Sequence, residues 1–331
     1  MKSTSLFVSV LAVFLFAIAA QAVMIDMVPV GNPGNASDTR NGAPGFGSVG
    51  YAYQIGKYEV TAGQYTEFLN AVADADPNGL YNTAMGDPGG SRGANIQRMG
   101  SSPNYSYSVA ADWADRPVNY VSFWDAARFA NWLHNGQPTG AQDLGTTEDG
   151  PYHDVGNQTL FGRNANARFF IPTEDEWYKA AYHDKTAGLA VSYFNYPTET
   201  NAVPGNDINE STNPGNNANY YVSDDAIGSP YYRTVAGEFE LSDSPYCTFD
   251  QGGNVWEWNE TAVFGSSRGL RGGSFISSSS GLHASGRSSL DPTVEGNIVG
   301  FRVASIPEPA CLTLSVAGVM ALMLMLSRGR K

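Results

Sequence analysis

The sequence predicts an α+β fold with little regular secondary structure. Two observations carry this. Helical periods with capping signals lie toward the N-terminal side, and the rest is glycine-rich with short β-prone runs. The 37 glycines and 18 prolines are spread throughout, and clusters such as Asn213-Pro214-Gly215-Asn216-Asn217 mark long loops. Strands and helices do not alternate as a doubly wound parallel sheet would require.

The elements follow in order. Tyr53–Val60 is the first β-prone run. Thr61 caps a helix whose Tyr65, Phe68, Leu69 and Val72 recur at helical spacing. A short β-prone run at Val118–Tyr120 precedes Ser122 and Asp125, which form a capping-box-like start for a helix through Leu133, stopped by Asn135-Gly136. Arg168–Ile171 reads as β, and Thr173 with Glu176 repeats the capping device for a helix carrying Trp177, Ala180 and Ala181. Trp256 and Trp258 alternate with Glu257, so one strand-like segment buries rings and still presents a carboxylate. Gly269–Phe275 and Val299–Val303 complete the β-prone set, with Gly272 and Gly273 permitting close approach or positive φ before a strand at Ser274–Phe275. Aromatic residues inside the loops, among them Tyr193, Tyr221 and Tyr232, predict packed rather than floppy loops.

Both ends read as processing signals. Lys2, the apolar run Leu6–Ala20 and the small-residue stop Ala20-Gln21-Ala22 predict a secretory signal peptide over residues 1–22. The body then runs over residues 23–306, enough for a substantial core. At the far end, Pro307-Glu308-Pro309 precedes the apolar run Ala310–Leu326 and the basic close Arg328-Gly329-Arg330-Lys331. This arrangement over 307–331 resembles a PEP-CTERM sorting signal. The resemblance implies an exosortase-type processing protease as partner, and membrane contact only through the C-terminal helix. The expected location is therefore outside the cytoplasm: cell envelope, surface or extracellular matrix.

Formal charge is −13, and it becomes −17 without the terminal Lys2, Arg328, Arg330 and Lys331. Such a balance repels phosphates and anionic lipid, which excludes nucleic acid as an expected partner. Only two cysteines occur, and Cys311 lies in the tail. Cys247 is alone in the body, so no intramolecular disulfide forms there; a lone buried thiol is expected.

Six segments in order carry a family resemblance: Tyr58-Glu59-Val60-Thr61, Arg116–Ser122, Ile171–Trp177, Gly253-Asn254-Val255-Trp256-Glu257-Trp258, Arg271-Gly272-Gly273-Ser274-Phe275 and Gly300-Phe301-Arg302. The chain is similar to the formylglycine-generating enzyme (sulfatase-modifying factor) family. The resemblance implies the complex variant of the C-type lectin fold, with long loops over a small β-sheet. It also implies two calcium ions. One set of ligands maps onto Asp250 and Glu257 through carboxylates and Gly253 and Val255 through carbonyls; the other maps onto Asn219, Tyr220, Asp225 and Ile227. Oxygen donors of this kind suit a hard cation.

Catalysis does not carry over. Enzymes of the family oxidise a client cysteine with copper held by two cysteines between the GGS and GFR elements. Here those positions fall at Ser279 and Ala284, and Phe275–Val299 has no cysteine. A hydroxyl and a methyl do not hold copper(I), which needs soft thiolates. Ser277–Ser280 is expected to be a hairpin tip, since nothing in sequence supplies a serine with an oriented base. A related branch, the ergothioneine-type sulfoxide synthases, binds iron through histidines that include a separate helical domain; neither that domain nor a His-x3-His pairing occurs here. The expected activity is thus non-catalytic binding of an extracellular peptide or glycan in a cleft near Ser279, His283 and Arg287. The alternative is a protein-modifying oxidoreductase that generates formylglycine on a sulfatase-type client.

Overall fold

A computed structural model describes residues 22–40 and 45–307; nearly all of the expected signal peptide and of the C-terminal signal lies outside the described residues. Among the described residues no helix is long and apolar enough to cross a membrane.

The chain opens with β1 (Met27–Val30) and β2 (Tyr53–Gly56), paired antiparallel from Met27↔Gly56 to Val30↔Tyr53. Helix α1 (Ala62–Val72) starts where Thr61 accepts from the Gln64 amide while the Gln64 side chain accepts from the Thr61 amide. The hairpin β3 (Ile96–Met99) and β4 (Ser106–Val109) leads through the single turn α2 (Ala111–Ala114) to α3 (Phe123–His134). Ser122 and Asp125 make the expected reciprocal cap of α3, and Gly136 follows at φ 84°. After a small hairpin of β5 (Tyr152–His153) and β6 (Gly162–Arg163) come β7 (Phe169–Phe170) and α4 (Glu174–Tyr182), capped by Thr173 and Glu176. A long irregular stretch reaches β8 (Trp256–Ala262) and β9 (Arg268–Arg271). It is followed by the one-turn α5 (Ser279–Leu282), then β10 (Ser288–Leu290), β11 (Val299–Gly300) and β12 (Ala304–Ser305).

Two four-stranded sheets result. One has the order β1-β2-β12-β7 and is antiparallel throughout. The other has the order β10-β9-β8-β11, with β11 parallel to β8. The main core lies between these sheets and helices α1 and α3. Phe68, Phe129, Trp132 and Phe301 are buried, with Phe129 edge-on to Phe301 at 5.4 Å between centroids. Loss of such a ring costs about 3–5 kcal/mol. A second cluster joins Trp177, Tyr178, Ala181, Tyr182 and Tyr193 to Ala284.

The β-prone runs shorten on folding. Tyr53–Val60 is a strand only to Gly56. Val118–Tyr120 is no strand: it follows an isolated bridge at Thr61↔Pro117, and Tyr120 sits at φ 58°, outside extended space. The run from Gly269 ends at Arg271, because Gly272 (φ 97°) and Gly273 (φ 78°) turn the backbone, and Ser274–Phe275 is not a strand. Val299–Val303 is likewise interrupted between β11 and β12, which join different sheets.

Candidate functional site

The paired glycines aim the chain into the loop that carries the predicted ligand-contacting residues. Ser277 closes this loop: its amide donates to the Ser274 carbonyl at 2.9 Å, and its hydroxyl accepts from the Ser274 amide at 3.0 Å. The expected hairpin tip over Ser277–Ser280 is therefore a tight turn entering α5. Ser279 begins that helix half-buried, and its carbonyl accepts from the His283 amide at 3.1 Å. Ser278 and Ser280 are exposed, with hydroxyls 2.9 Å apart.

His283 follows α5. Its Nδ1 accepts from the Ser285 amide at 3.1 Å and lies 2.7 Å from the Ser285 hydroxyl, so the ring hydrogen sits on Nε2 when the ring is neutral. The ring meets Tyr196 edge-on at 5.3 Å. Partial burial, then the nearby Arg40 charge, lower its pKa against the opposing pull of Asp38. His283 is thus a neutral donor at neutral pH.

Arg287 is spent elsewhere. Its guanidinium takes both oxygens of Glu174, at 2.7 and 2.6 Å, and Arg271 shares the same carboxylate at 2.8 Å. Arg271 also donates to the carbonyls of Ala284 and Gly286, so the two arginines and Glu174 brace the loop behind His283. The sequence places Ser279, His283 and Arg287 on one stretch, and the structure links the first two through the backbone of α5 while Arg287 turns to the first turn of α4. Glu174 had a signal, its place in the Ile171–Trp177 segment, but its two partners were not readable from spacing.

The positions expected for copper cysteines have different fates. Ser279 is half-buried on α5, whereas Ala284 is fully buried and packs among Trp177, Tyr178, Ala181, Tyr182 and Tyr193. Cys247 is exposed rather than buried, with its sulfur 3.9 Å from the Lys185 ammonium. Its expectation as a buried thiol is corrected: the residue caps a tight turn at φ 63° and points outward. Among the described residues no three His, Cys, Asp or Glu side chains converge in a metal-binding group.

The two calcium sets also differ. Glu257 is fully buried and its carboxylate is engaged: Arg302 takes Oε1 and Oε2 at 2.6 Å each, and Trp177 Nε1 donates to Oε2 at 2.7 Å. A divalent ion there would compete with a guanidinium already in place, so these residues do not fit it. Asp250 accepts from the Gly237 amide at 2.6 Å, the Gly253 amide donates to the Gly272 carbonyl, and Val255 is buried in packing. Burial, opposed by that hydrogen bond and by Arg302, pushes the Asp250 carboxyl up to about 6. In the other set, Asn219 is buried and donates through Nδ2 to the Tyr232 carbonyl and to Asn254 Oδ1, while its Oδ1 has no hydrogen-bond partner among the described residues. Tyr220 follows it in the chain, and Asp225 and Ile227 are half-buried on the same loop. An unpartnered buried oxygen at Asn219, on the stretch that also carries Asp225, is of the donor type that would suit a hard cation.

Glu59 is a residue that spacing alone could not single out. It is 1% exposed and neither of its carboxyl oxygens has a hydrogen-bond partner among the described residues. Burial raises its pKa well above the usual range, and Asp250 and Glu257 add to this against Arg302.

A family model described as the sulfatase-modifying factor enzyme 1-like domain (FGE-sulfatase) matches residues 24–306. Solved structures similar to the chain include CarF, 21% identical, with 86% of this chain and 99% of that one covered and a TM-score of 0.48. Treponema denticola variable protein 1 is 20% identical over 87% of this chain and 97% of its own, with a TM-score of 0.48. PvdO from Pseudomonas aeruginosa is 18% identical over 85% and 94%, with a TM-score of 0.45. No curated protein matches the chain.

Proposed function

The chain belongs to the sulfatase-modifying factor enzyme 1-like family, and from that premise we propose that it is a non-catalytic, ligand-binding member. One observation carries the reading: the two positions where relatives need thiolates hold Ser279 and Ala284, and the Ala284 methyl is enclosed by aromatic rings. The ligand is a peptide or glycan received on the face formed by the Ser277–Ser280 loop, His283 and Tyr196. Exposed serine hydroxyls and the His283 Nε2 hydrogen offer directed hydrogen bonds beside an aromatic ring.

A calcium ion braces this face from the Asn219 loop, with Asn219 Oδ1 and the Asp225 carboxylate as side-chain donors and carbonyls of Tyr220 and Ile227 completing the set. The ion supplies charge and rigidity only. The protein is exported through residues 1–22 and held at the cell envelope through Ala310–Leu326 until a membrane protease of the exosortase type cuts near Pro307-Glu308-Pro309. These assignments rest on the sequence of the two ends.

The test is direct. The full chain is loaded with copper(I) and offered a peptide bearing Cys-x-Pro-x-Arg, and aldehyde is measured by hydrazide capture. No aldehyde above a metal-free control is expected. Multiple turnover would overturn the reading in favour of an oxidoreductase.

A further inference from the structure

Several arginines of this acidic chain lie on carboxylates, as in Arg40–Asp38, Arg128–Glu148, Arg271–Glu174 and Arg302–Glu257. Arg92 does not. Its guanidinium is half-buried, has no ion pair or hydrogen bond among the described residues, and lies over the Tyr232 ring at 4.6 Å and the Phe275 ring at 5.7 Å. Two stacked rings fix a guanidinium in place without neutralising it.

The backbone beneath Arg92 is strained and pinned. Arg92 sits at φ 56°, Tyr232 at 56° and Tyr120 at 58°, three bulky residues in the left-handed region at one spot. The Arg92 carbonyl accepts from Asn119 Nδ2 and Arg233 Nη1, both at 2.8 Å, and the Tyr120 hydroxyl donates to the neighbouring Ser91 carbonyl at 2.6 Å. Strain of this kind, of order 1–3 kcal/mol per residue, persists where surrounding structure enforces it and clusters at functional sites. The nearby Asp87 carboxylate is committed to the amides of Gly90 and Ser91 and to the Ser91 hydroxyl.

Phe275 leads directly into Ile276 and the Ser277–Ser280 loop, and the Tyr221 amide donates to the Ser277 carbonyl at 2.9 Å. Tyr221 and Ile276 are each about half exposed (47% and 46%), so a flat ring, an apolar side chain and the exposed, mutually bonded hydroxyls of Ser278 and Ser280 lie on or beside the loop that Phe275 enters.

We propose that Arg92, a local positive site on an otherwise acidic chain, is the anchor for an anionic group on an acidic polysaccharide that lies across the Ser277–Ser280 loop. The proposal rests on the binding reading above and names its ligand class. A sugar ring presents a flat C–H face to an aromatic side chain and hydroxyls to Ser278 and Ser280, while its carboxylate or sulfate takes the guanidinium in bidentate fashion.

Binding of the full chain to polygalacturonate, dextran sulfate, neutral dextran and poly-glutamate is measured by calorimetry, with circular dichroism as the folding control. Polygalacturonate or dextran sulfate is expected to bind, the stronger of the two identifying carboxylate or sulfate, with neutral dextran at least tenfold weaker (an order-of-magnitude figure for one charge-assisted contact). Arg92→Gln should weaken binding by about tenfold or more, and Arg92→Lys should recover part of the loss. Arg98→Gln is the charge-matched control: that guanidinium also lies over two rings, Tyr81 and Tyr105, neither of which belongs to the proposed face, and its loss should matter by less than about twofold. Equal binding of neutral dextran, tighter binding of poly-glutamate, or an Arg92→Gln protein indistinguishable from Arg98→Gln overturns the anchor while leaving a ligand-binding protein. Failure of all four probes overturns the anchor as well, and only aldehyde formation in the copper assay removes the binding reading beneath it.

Discussion

Arg302 holds both carboxylate oxygens of Glu257 at 2.6 Å with neither side chain exposed. The guanidinium also reaches the carbonyls of Gly56 and Phe249 at 2.9 Å, tying the GFR segment to β2 and to the approach of β8. Glu257→Gln strands a buried cation, and a loss of about 3–5 kcal/mol is expected in urea unfolding. Arg302→Met should cost more, because Glu59 and Asp250 also face that charge. The double variant Glu257→Leu/Arg302→Met should lose less than the sum of the two single changes.

Glu59 gives stability a defined pH dependence. Its folded-state pKa is raised, so its favourable contribution is complete below the ordinary carboxyl range and is lost as pH rises through the folded value. Glu59→Gln mimics the neutral acid. The variant should match the parent near pH 4.5 and become progressively more stable than it toward pH 8, by about 1 kcal/mol or more. Parallel stability–pH curves for the two proteins would refute this.

Lys179 is fully buried on α4, and its ammonium donates to the Asn32 carbonyl at 2.9 Å with no carboxylate partner in the ion pairs of the described residues. Burial pushes its pKa down to about 8. A lowered cation penalises the folded state below that value, and the penalty is relieved as pH rises from about 8 toward the unfolded lysine value. Lys179→Met should therefore raise the melting temperature at pH 7, and the advantage should shrink by pH 10.

The proposed cation can be read by melting alone. Calcium should raise the melting temperature of the parent relative to chelator, approaching about 2.7 kcal/mol when its concentration is a hundred times its Kd. Asn219→Ala should abolish that response. A response that survives Asn219→Ala but vanishes in Asp250→Asn would move the ion to the other loop.

Glu174 serves two cations, and its loss should exceed the loss of either. Glu174→Gln is expected to cost about 3–5 kcal/mol by leaving Arg271 buried without its counter-charge. Arg287→Ala should cost less, about 1 kcal/mol, since its side chain is 32% exposed and screened by solvent.

What the sequence made legible was local. Ser122 and Thr173 each announced a helix because a cap and its reciprocal acceptor lie three residues apart, and Thr61 did so as a cap before apolar residues at helical spacing. The ordered segments from Tyr58 to Arg302 identified the fold for a related reason: each is short and self-contained. Partnerships across the chain were not legible. Glu257 was read as a metal donor from the family resemblance, and its own strand gives no hint that Arg302, 45 residues on, would fill it. Val118–Tyr120 looked extended until hydrogen bonding around Tyr120 forced its backbone to φ 58°. Arg92 carried no sequence signal, since the rings that hold it, Tyr232 and Phe275, lie far along the chain.

The enclosure of Ala284 bears on how the domain could change. Installing cysteines at 279 and 284 would add a sulfur into a nest of tyrosines that already closes on a methyl, an overfilling worth about 1–3 kcal/mol. A thiolate pair at these positions would thus need the surrounding rings to give way.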